Sequence, residues 1–358
     1  MYHGAYTPAM KPLLTETIVS TVASLGYILD AEQLHIGGER ALMSAHKLVL
    51  TGSTQKDNER VVIKVSLDTL GAQDITREHA VRELLQGVRF ALRNLAFPQE
   101  LFFGMRGGYT ISVTEFIVQE RVFVDYPLRE QFFMILKLFE AQEEFHATTY
   151  EHTKTLRGTV PVWDAEEYCA DAQHIKEMVA SLFPTCTAVS RLVELLDTSR
   201  THIDQFSGFL DHTDLVPHNF RVKEGSLFAL DQVAIRFGNK YEMWARFINY
   251  MLIHNPELAD LLVRYVEEKR GKDDATMLRI MRCYKAGVLL RYYAETTEKS
   301  TGDMHELSKA RFLFWDQVLT HLLNEEPIPR EMVQRYIHTR DTLRSDDEKK
   351  RQREFAKA

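Results

Sequence analysis

Cysteine is scarce: Cys169, Cys186 and Cys283 are the only three in 358 residues, far apart and odd in number. That excludes the disulfide framework of a small secreted domain and the paired spacing of a zinc site, and it suits a reducing cytoplasm. No apolar run approaches the length of a membrane span, so no membrane partner is expected. The first residues, Met1 to Pro8, lack the basic start and apolar core of a signal peptide. Excess positive charge is also missing. A formal charge of -7 argues against a general polyanion binder, since affinity for a phosphate backbone comes from clustered Lys and Arg, and no nucleic-acid partner is expected. The fourteen histidines show no His-Glu-x-x-His spacing, there is no repeat at solenoid or propeller periods, and no complete G-x-G-x-x-G loop occurs.

What is present describes a globular chain. A hydrophobic fraction of 45% and a charged fraction of 27% are ordinary, and the length exceeds what one hydrophobic core usually serves. Two lobes are therefore expected.

The N-terminal third opens with a helical period over Thr15 to Leu25, then changes to short apolar runs: Leu34 to Ile36, Lys47 to Leu50, and the β-branched Val61 to Val65. Gly37-Gly38 is a turn in the place a phosphate-covering loop would occupy. Lys64 sits inside the most apolar of these strands, where an ammonium must reach an edge or find an anion. The next helical stretch, Thr76 to Leu95, supplies acids. Its stripe of Val81, Leu85, Val88 and Leu92 puts Glu78 on the inward face as the expected partner of Lys64, with Glu83 as the fallback. Pro98 to Phe103 and Tyr109 to Thr114 read as another strand pair around Gly107-Gly108. The extended segment that follows, Glu115 to Ile117, could offer backbone groups to a nucleobase edge.

The rest of the chain is dominated by helical periodicity: Leu128 to Thr148, Asp164 to Leu182, Ala188 to Phe206, Tyr241 to His254, Pro256 to Glu268, Ala275 to Ala294, His305 to Leu323 and Pro329 to Leu343. Charge dominates Thr342 to Ala358, which reads as a frayed helix or tail. Acids at Asp164, Glu166 and Glu167 would suit a cationic substrate, and a solvated helix start explains them equally well.

Between the helices lies His212-Thr213-Asp214-Leu215-Val216-Pro217-His218-Asn219, a hairpin pattern, and Leu230-Asp231-Gln232. Phosphoryl transfer needs a group that orients or deprotonates the attacking hydroxyl, oxygen ligands for Mg²⁺, and cations over the phosphates. Asp214 is the candidate base. Asn219 and Asp231 offer the neutral and anionic oxygens that a hard cation prefers.

This stretch resembles the "HGDLHPGN" and following "IDW" motifs of the aminoglycoside phosphotransferase and choline kinase group. Thr114 to Ile117 resembles that family's hinge, and Phe145-His146-Ala147 its "LHA" helix end. The resemblance implies an α+β, bilobal protein-kinase-like fold, with a small antiparallel β-sheet and a helix in the N-lobe and a larger, mainly α-helical C-lobe. It implies a nucleotide-binding lobe over 1–117, a lobe with the catalytic loop and acceptor site over 118–345, and a charged tail over 346–358. It further implies ATP and Mg²⁺ as cofactors, with Asp214 as the catalytic aspartate, Asn219 and Asp231 as metal ligands, and Lys64, Glu78, Gly37, Gly38, Glu115 and Ile117 on the nucleotide. Thr213, His218 and Gln232 depart from the family pattern.

Only Val233 to Lys240 separates Asp231 from the next helix, which leaves no room for a long activation loop, and no Ala-Pro-Glu motif occurs. A kinase acting on a hydroxyl of a small molecule is therefore expected. The alternative is a non-catalytic nucleotide-binding regulator of the same fold, and no oligomeric state is implied.

Overall fold

A computed structural model describes residues 15–31, 33, 46–87, 95–119, 121–147, 154, 158–345 and 349, with only the backbone at 87, 95 and 144–147. Gly37, Gly38 and the Leu34 to Ile36 run lie outside the described residues, as do the side chains of Phe145 and His146. The chain divides into two compact units. One takes 1–89, 96–120 and 221–233; the other takes 90–95, 121–220 and 234–358.

The first unit is built on a five-stranded antiparallel sheet of order β1-β2-β3-β6-β5. Its strands are β1 (Tyr27–Leu29), β2 (Lys47–Thr54), β3 (Arg60–Ser66), β5 (Glu100–Arg106) and β6 (Tyr109–Glu115). Val61, Ile63 and Val65 alternate along β3 and are fully buried, so the period of two drives one face of the strand into the core. Helix α1 (Glu16–Ser24) packs Ile18 and Val22 into the same core, and Thr15 caps it by accepting from the Ile18 N–H. Helix α2 spans Thr69–Gly87, so it begins seven residues before the periodicity suggested. Asp68 explains the early start, because its Oδ1 accepts from the Gly71 N–H at 2.8 Å and anchors the first turn. The helix does not run to Leu95, because β4 (Leu95–Ala96) is a strand beside β9 (Ser226–Ala229), which in turn pairs with β8 (Phe220–Lys223).

The second unit is helical, with one two-stranded antiparallel ribbon of β7 (Phe209–His212) and β10 (Ile235–Gly238). Neither strand stands out in the sequence, because each is only four residues long. Helices α3 (Leu128–Ala147) and α4 (Ala165–Leu182) follow the expected periods, and Asp164 closes a capping box with Glu167. The single helix expected over Ala188 to Phe206 is two, α5 (Ala188–Thr198) and α6 (Arg200–Gln205), broken at Ser199. Then come α7 (Glu242–His254), α8 (Pro256–Lys269), α9 (Lys272–Lys299), α10 (Gly302–Leu323) and α11 (Arg330–Leu343).

Helix α7 is the spine of this unit. Met243, Trp244, Phe247, Ile248 and Met251 are all buried, and Trp244 stacks on Phe139 of α3 at 4.1 Å between ring centroids. Truncating so large a fully buried ring leaves a cavity that the packed helices cannot close. Trp244→Ala is expected to cost about 3–5 kcal/mol of unfolding free energy. Urea unfolding of the variant would show it as a lower midpoint with an unchanged slope, and a midpoint equal to that of the wild type would contradict this account of the core.

Candidate active site

In the first unit the anion for Lys64 is Glu78. The ammonium reaches both carboxylate oxygens, at 2.7 and 2.6 Å. Glu78 itself is 3% exposed, and Glu83 points to solvent, so the helix rotation favours the inward acid. Arg82, one turn on and equally buried, contacts Glu78 Oε1 at 3.4 Å and donates to Glu100 Oε1 at 2.5 Å. Ser112 of β6 donates to that same Glu100 oxygen. Lys64 is thereby held between strand and helix by a network in which every buried charge has a counter-charge.

Asp231 joins this group. Its Oδ1 lies 3.7 Å from the Lys64 Nζ and 3.8 Å from that of Lys47, a residue that the sequence reading did not single out. Burial would lower the Lys47 pKa, but Asp231, Glu78 and Asp74 outweigh it and hold the ammonium charged. Asp231 adopts φ +59°, a left-handed backbone conformation that costs a non-glycine residue about 1 kcal/mol or more. Such strain persists only where the surroundings impose it, and the neighbouring Gln232 does so. It accepts from Arg82 Nη2 at 3.0 Å and donates to the Ala229 carbonyl at 3.0 Å, fastening the end of β9 to α2.

At the proposed hinge the Glu115 N–H donates to the Gln99 carbonyl and the Phe116 N–H to that of Arg60. Both are occupied by the sheet. Ile117 is buried, and its backbone N–H and C=O make no hydrogen bond among the described residues.

In the second unit Asp214 follows β7. Its Oδ2 accepts from the Asn219 side chain at 2.9 Å, and the same Asn219 nitrogen donates to the Asp214 carbonyl at 2.8 Å. The amide nitrogen is thus committed to the loop, which leaves the Asn219 side-chain oxygen as the end available to a cation. Asp214 Oδ1 accepts from Arg246 Nε of α7 at 2.8 Å. The surrounding protein would raise the Asp214 pKa, but Arg246, His218 and Lys285 more than offset this and keep it ionised. An amide oxygen such as that of Asn219, and in the first unit a carboxylate such as that of Asp231, are each donors of the hard kind that Mg²⁺ prefers.

Beneath the Asp214 loop lies Glu242, fully buried. It accepts from Tyr168 at 2.6 Å, Arg236 at 2.5 Å and Lys285 at 3.0 Å. Burial pushes this carboxyl up, and Arg236 and Lys285 pull it further down, to about 2. Lys285 also donates to the Thr213 carbonyl at 2.9 Å, so the hub reaches the residue next to Asp214. Tyr168 arrives only because residue 238 is glycine. A Cβ there would sit 2.7 Å from the tyrosine hydroxyl.

No family model and no curated protein matches the sequence. Solved structures do match the fold. A thermostable mutant of aminoglycoside phosphotransferase APH(4)-Ia, in ternary complex with ADP and hygromycin B, superposes with a TM-score of 0.60 at 14% identity, covering 86% of this chain and 98% of that one. Macrolide 2'-phosphotransferase type I gives 0.55 at 11% identity, over 86% of this chain and 99% of its own. ADP-bound aminoglycoside phosphotransferase APH(2'')-Ib gives 0.55 at 13% identity, over 90% and 99%. The chain has the bilobal protein-kinase-like fold of the aminoglycoside phosphotransferases.

On that phosphotransferase fold the departures from the motif acquire local reasons. Thr213, where the motif has glycine, donates its N–H to the Ala234 carbonyl at 3.0 Å and its hydroxyl to the same oxygen at 3.1 Å, locking the loop to β10. His218 packs its ring edge-on to Tyr250 of α7 at 5.8 Å. Gln232 is the bracket between hairpin and helix described above.

Several residues here escaped the sequence reading: Lys47, Arg82, Arg246, Lys285 and Glu242. One signal was available for the last group. Glu242 and Arg246 are charges in a helix whose other residues are almost all apolar, and charges in such a place are paired.

Behind the loop a small enclosed cavity has room for about one water molecule, lined by Leu138, Gln142, Asp211 and Met243 among others. Among the described residues neither carboxylate oxygen of Asp211 nor the Gln142 Oε1 has a hydrogen-bond partner, and Asp211 is 1% exposed. Burial, followed by the nearby Glu242 charge, raises the Asp211 pKa well above its ordinary value and so favours the protonated form. An acid whose pKa is higher folded than unfolded stabilises the fold less as pH rises above about 3.9, its unfolded value. Asp211→Asn removes that loss. The variant is expected to be more stable than the wild type at pH 7.5, with the advantage shrinking towards pH 4. Equal pH slopes for the two proteins in urea unfolding would show that Asp211 is not held neutral.

Proposed function

We propose that this protein is an ATP- and Mg²⁺-dependent phosphotransferase that acts on a hydroxyl group of a small molecule. The observation that carries the reading is the Lys64 ammonium, clamped by Glu78 in a strand-to-helix pair and standing 3.7 Å from Asp231. A buried lysine held in this way, beside an acid in a strained backbone conformation, suits the binding of a nucleotide's phosphates and their metal ion. The ADP complexes among proteins of the same fold favour a nucleotide ligand, and the antibiotic acceptors in their names favour a small one.

In this reading Lys64 contacts the nucleotide phosphates and Glu78 holds it in place. Ile117 offers its unused backbone groups to the base, with Glu115 shaping the segment. Gly37 and Gly38 are assigned to the phosphate-covering loop. Asn219 and Asp231 hold Mg²⁺, which would neutralise charge on the phosphates. Asp214 orients the acceptor hydroxyl and takes its proton as the oxygen bonds to the terminal phosphorus and the nucleoside diphosphate leaves. The three buried, unpaired cysteines fit a cytoplasmic setting.

Asp214→Asn is expected to cut ADP release by 10²-fold or more while leaving the affinity for ATP within a few-fold of wild type. Asp231→Ala should do the reverse first, weakening Mg²⁺-ATP binding measured by calorimetry. Full turnover in Asp214→Asn would remove Asp214 from the chemistry. Binding of ATP with no turnover across a broad panel of hydroxyl metabolites would leave the regulator of the same fold as the better account.

A further inference from the structure

The surroundings of Asp214 within its own unit are basic rather than acidic. Arg246 spends only its Nε on the aspartate. Its two Nη groups make no hydrogen bond among the described residues and stand beside the candidate base. Arg246, Tyr250 and His254 recur every four residues, so they form one stripe along α7. The ring of His218 meets Tyr250 at 5.8 Å, and Tyr250 stacks on His254 at 4.2 Å, which continues the stripe away from the aspartate.

Helix α11 packs against α7 and brings Arg340. This guanidinium is 8% exposed and donates its Nε to Asp341 at 2.8 Å, yet its Nη1 is buried with no hydrogen-bond partner among the described residues. Arg344 stands one turn further, 3.7 Å from the same Asp341. His254 registers the combined field. Its burial, with Arg340, Arg344, His218 and Arg246 around it, drives its pKa well below the ordinary histidine range. Placement in the last turn of α11 accounts for a favourable charge on Arg340, because the helix dipole is negative there. It does not account for a buried guanidinium nitrogen left without an acceptor, which costs stability unless something supplies one.

We infer that the acceptor of this phosphotransferase carries an anionic group, a phosphate or a carboxylate, bound by Arg246 and Arg340. The inference rests on the function proposed above, since it names the substrate class of that same site. A planar guanidinium with two free nitrogens is suited to bidentate anion contact, and Arg246 places that contact within reach of a hydroxyl lying on Asp214. A polyamine acceptor would meet like charge here.

Thermal unfolding of the full chain, titrated with inorganic phosphate at constant ionic strength against a chloride control, tests the site directly. A saturable rise in Tm is expected for the wild type. With ADP saturating the nucleotide side, the apparent phosphate affinity should fall at least ten-fold in Arg246→Met and in Arg340→Met. A parallel acetate series separates phosphate from carboxylate. An ADP-induced Tm rise retained in Arg340→Met shows that this variant is folded. No phosphate response beyond chloride, or a response that survives both arginine substitutions, overturns the inference.

Turnover of matched acceptors provides the second arm: glycerate against glycerol, glucose 6-phosphate against glucose, and kanamycin as a cation. Preference for the anionic member of a pair supports the inference, and turnover of only neutral or cationic acceptors sinks it. If phosphate binds through Arg246 and Arg340 but no acceptor supports ADP release, the anion site stands and the kinase reading falls.

Discussion

A carboxylate with no exposed surface, Glu242, is the constraint on which the Asp214 side of the site depends. Left alone, such a charge would protonate or unfold its surroundings. Arg236 from β10, Tyr168 from α4 and Lys285 from α9 converge on it, so the strand just before α7 and two helices distant in sequence are fixed to its first turn. Arg236 in turn lies over the Trp163 ring at 3.6 Å, and Tyr168 accepts from the Asn239 N–H at 2.8 Å, which sets the turn leading into α7. Because Lys285 also holds the Thr213 carbonyl, the orientation of the Asp214 loop follows from the neutralisation of Glu242.

The first unit solves a similar problem with a different geometry. Lys64 and Glu78 neutralise each other across β3 and α2, and Arg82 binds Glu78, Glu100 and Gln232 in one fork. Arg82 thus couples the helix, the sheet edge and the residue next to Asp231. Replacing an arginine in such a position by lysine would lose the planar fork that reaches three partners at once. The two units share a design in which a buried ion network positions a more exposed acid: Asp231 in one, Asp214 in the other.

Much of this was legible in the sequence. The β-branched run at Val61 to Val65 and the apolar stripes of α3, α4, α7 and α8 report local propensity and one-sided burial, which periodicity encodes directly. The stripe of Val81 and Leu85 favoured Glu78 over Glu83 but left the rotation of α2 open, and the contacts of Lys64 with both Glu78 oxygens at 2.7 and 2.6 Å decide it. The start of α2 was misread because its first turn, Thr69 to Ala72, has no apolar period and is set by the Asp68 side chain. The break at Ser199 was misread because both halves keep the same apolar face, as the burial of Leu192, Leu196 and Ile203 shows.

The sequence by itself determined the residue types and order of the candidate chemistry: a strand lysine, an inward helix acid, then Asp214, Asn219 and Asp231, together with two lobes of different secondary structure. These follow from spacing along one chain. Only the tertiary structure decided that Lys47 joins Lys64 at Asp231, that Arg246 grips Asp214, that Asp211 is buried beside Gln142, and that Arg340 brings a buried guanidinium towards the stripe on α7. Each of these is a contact between charges or polar groups far apart in sequence, whose partners are selected by packing and desolvation, and no local period records them.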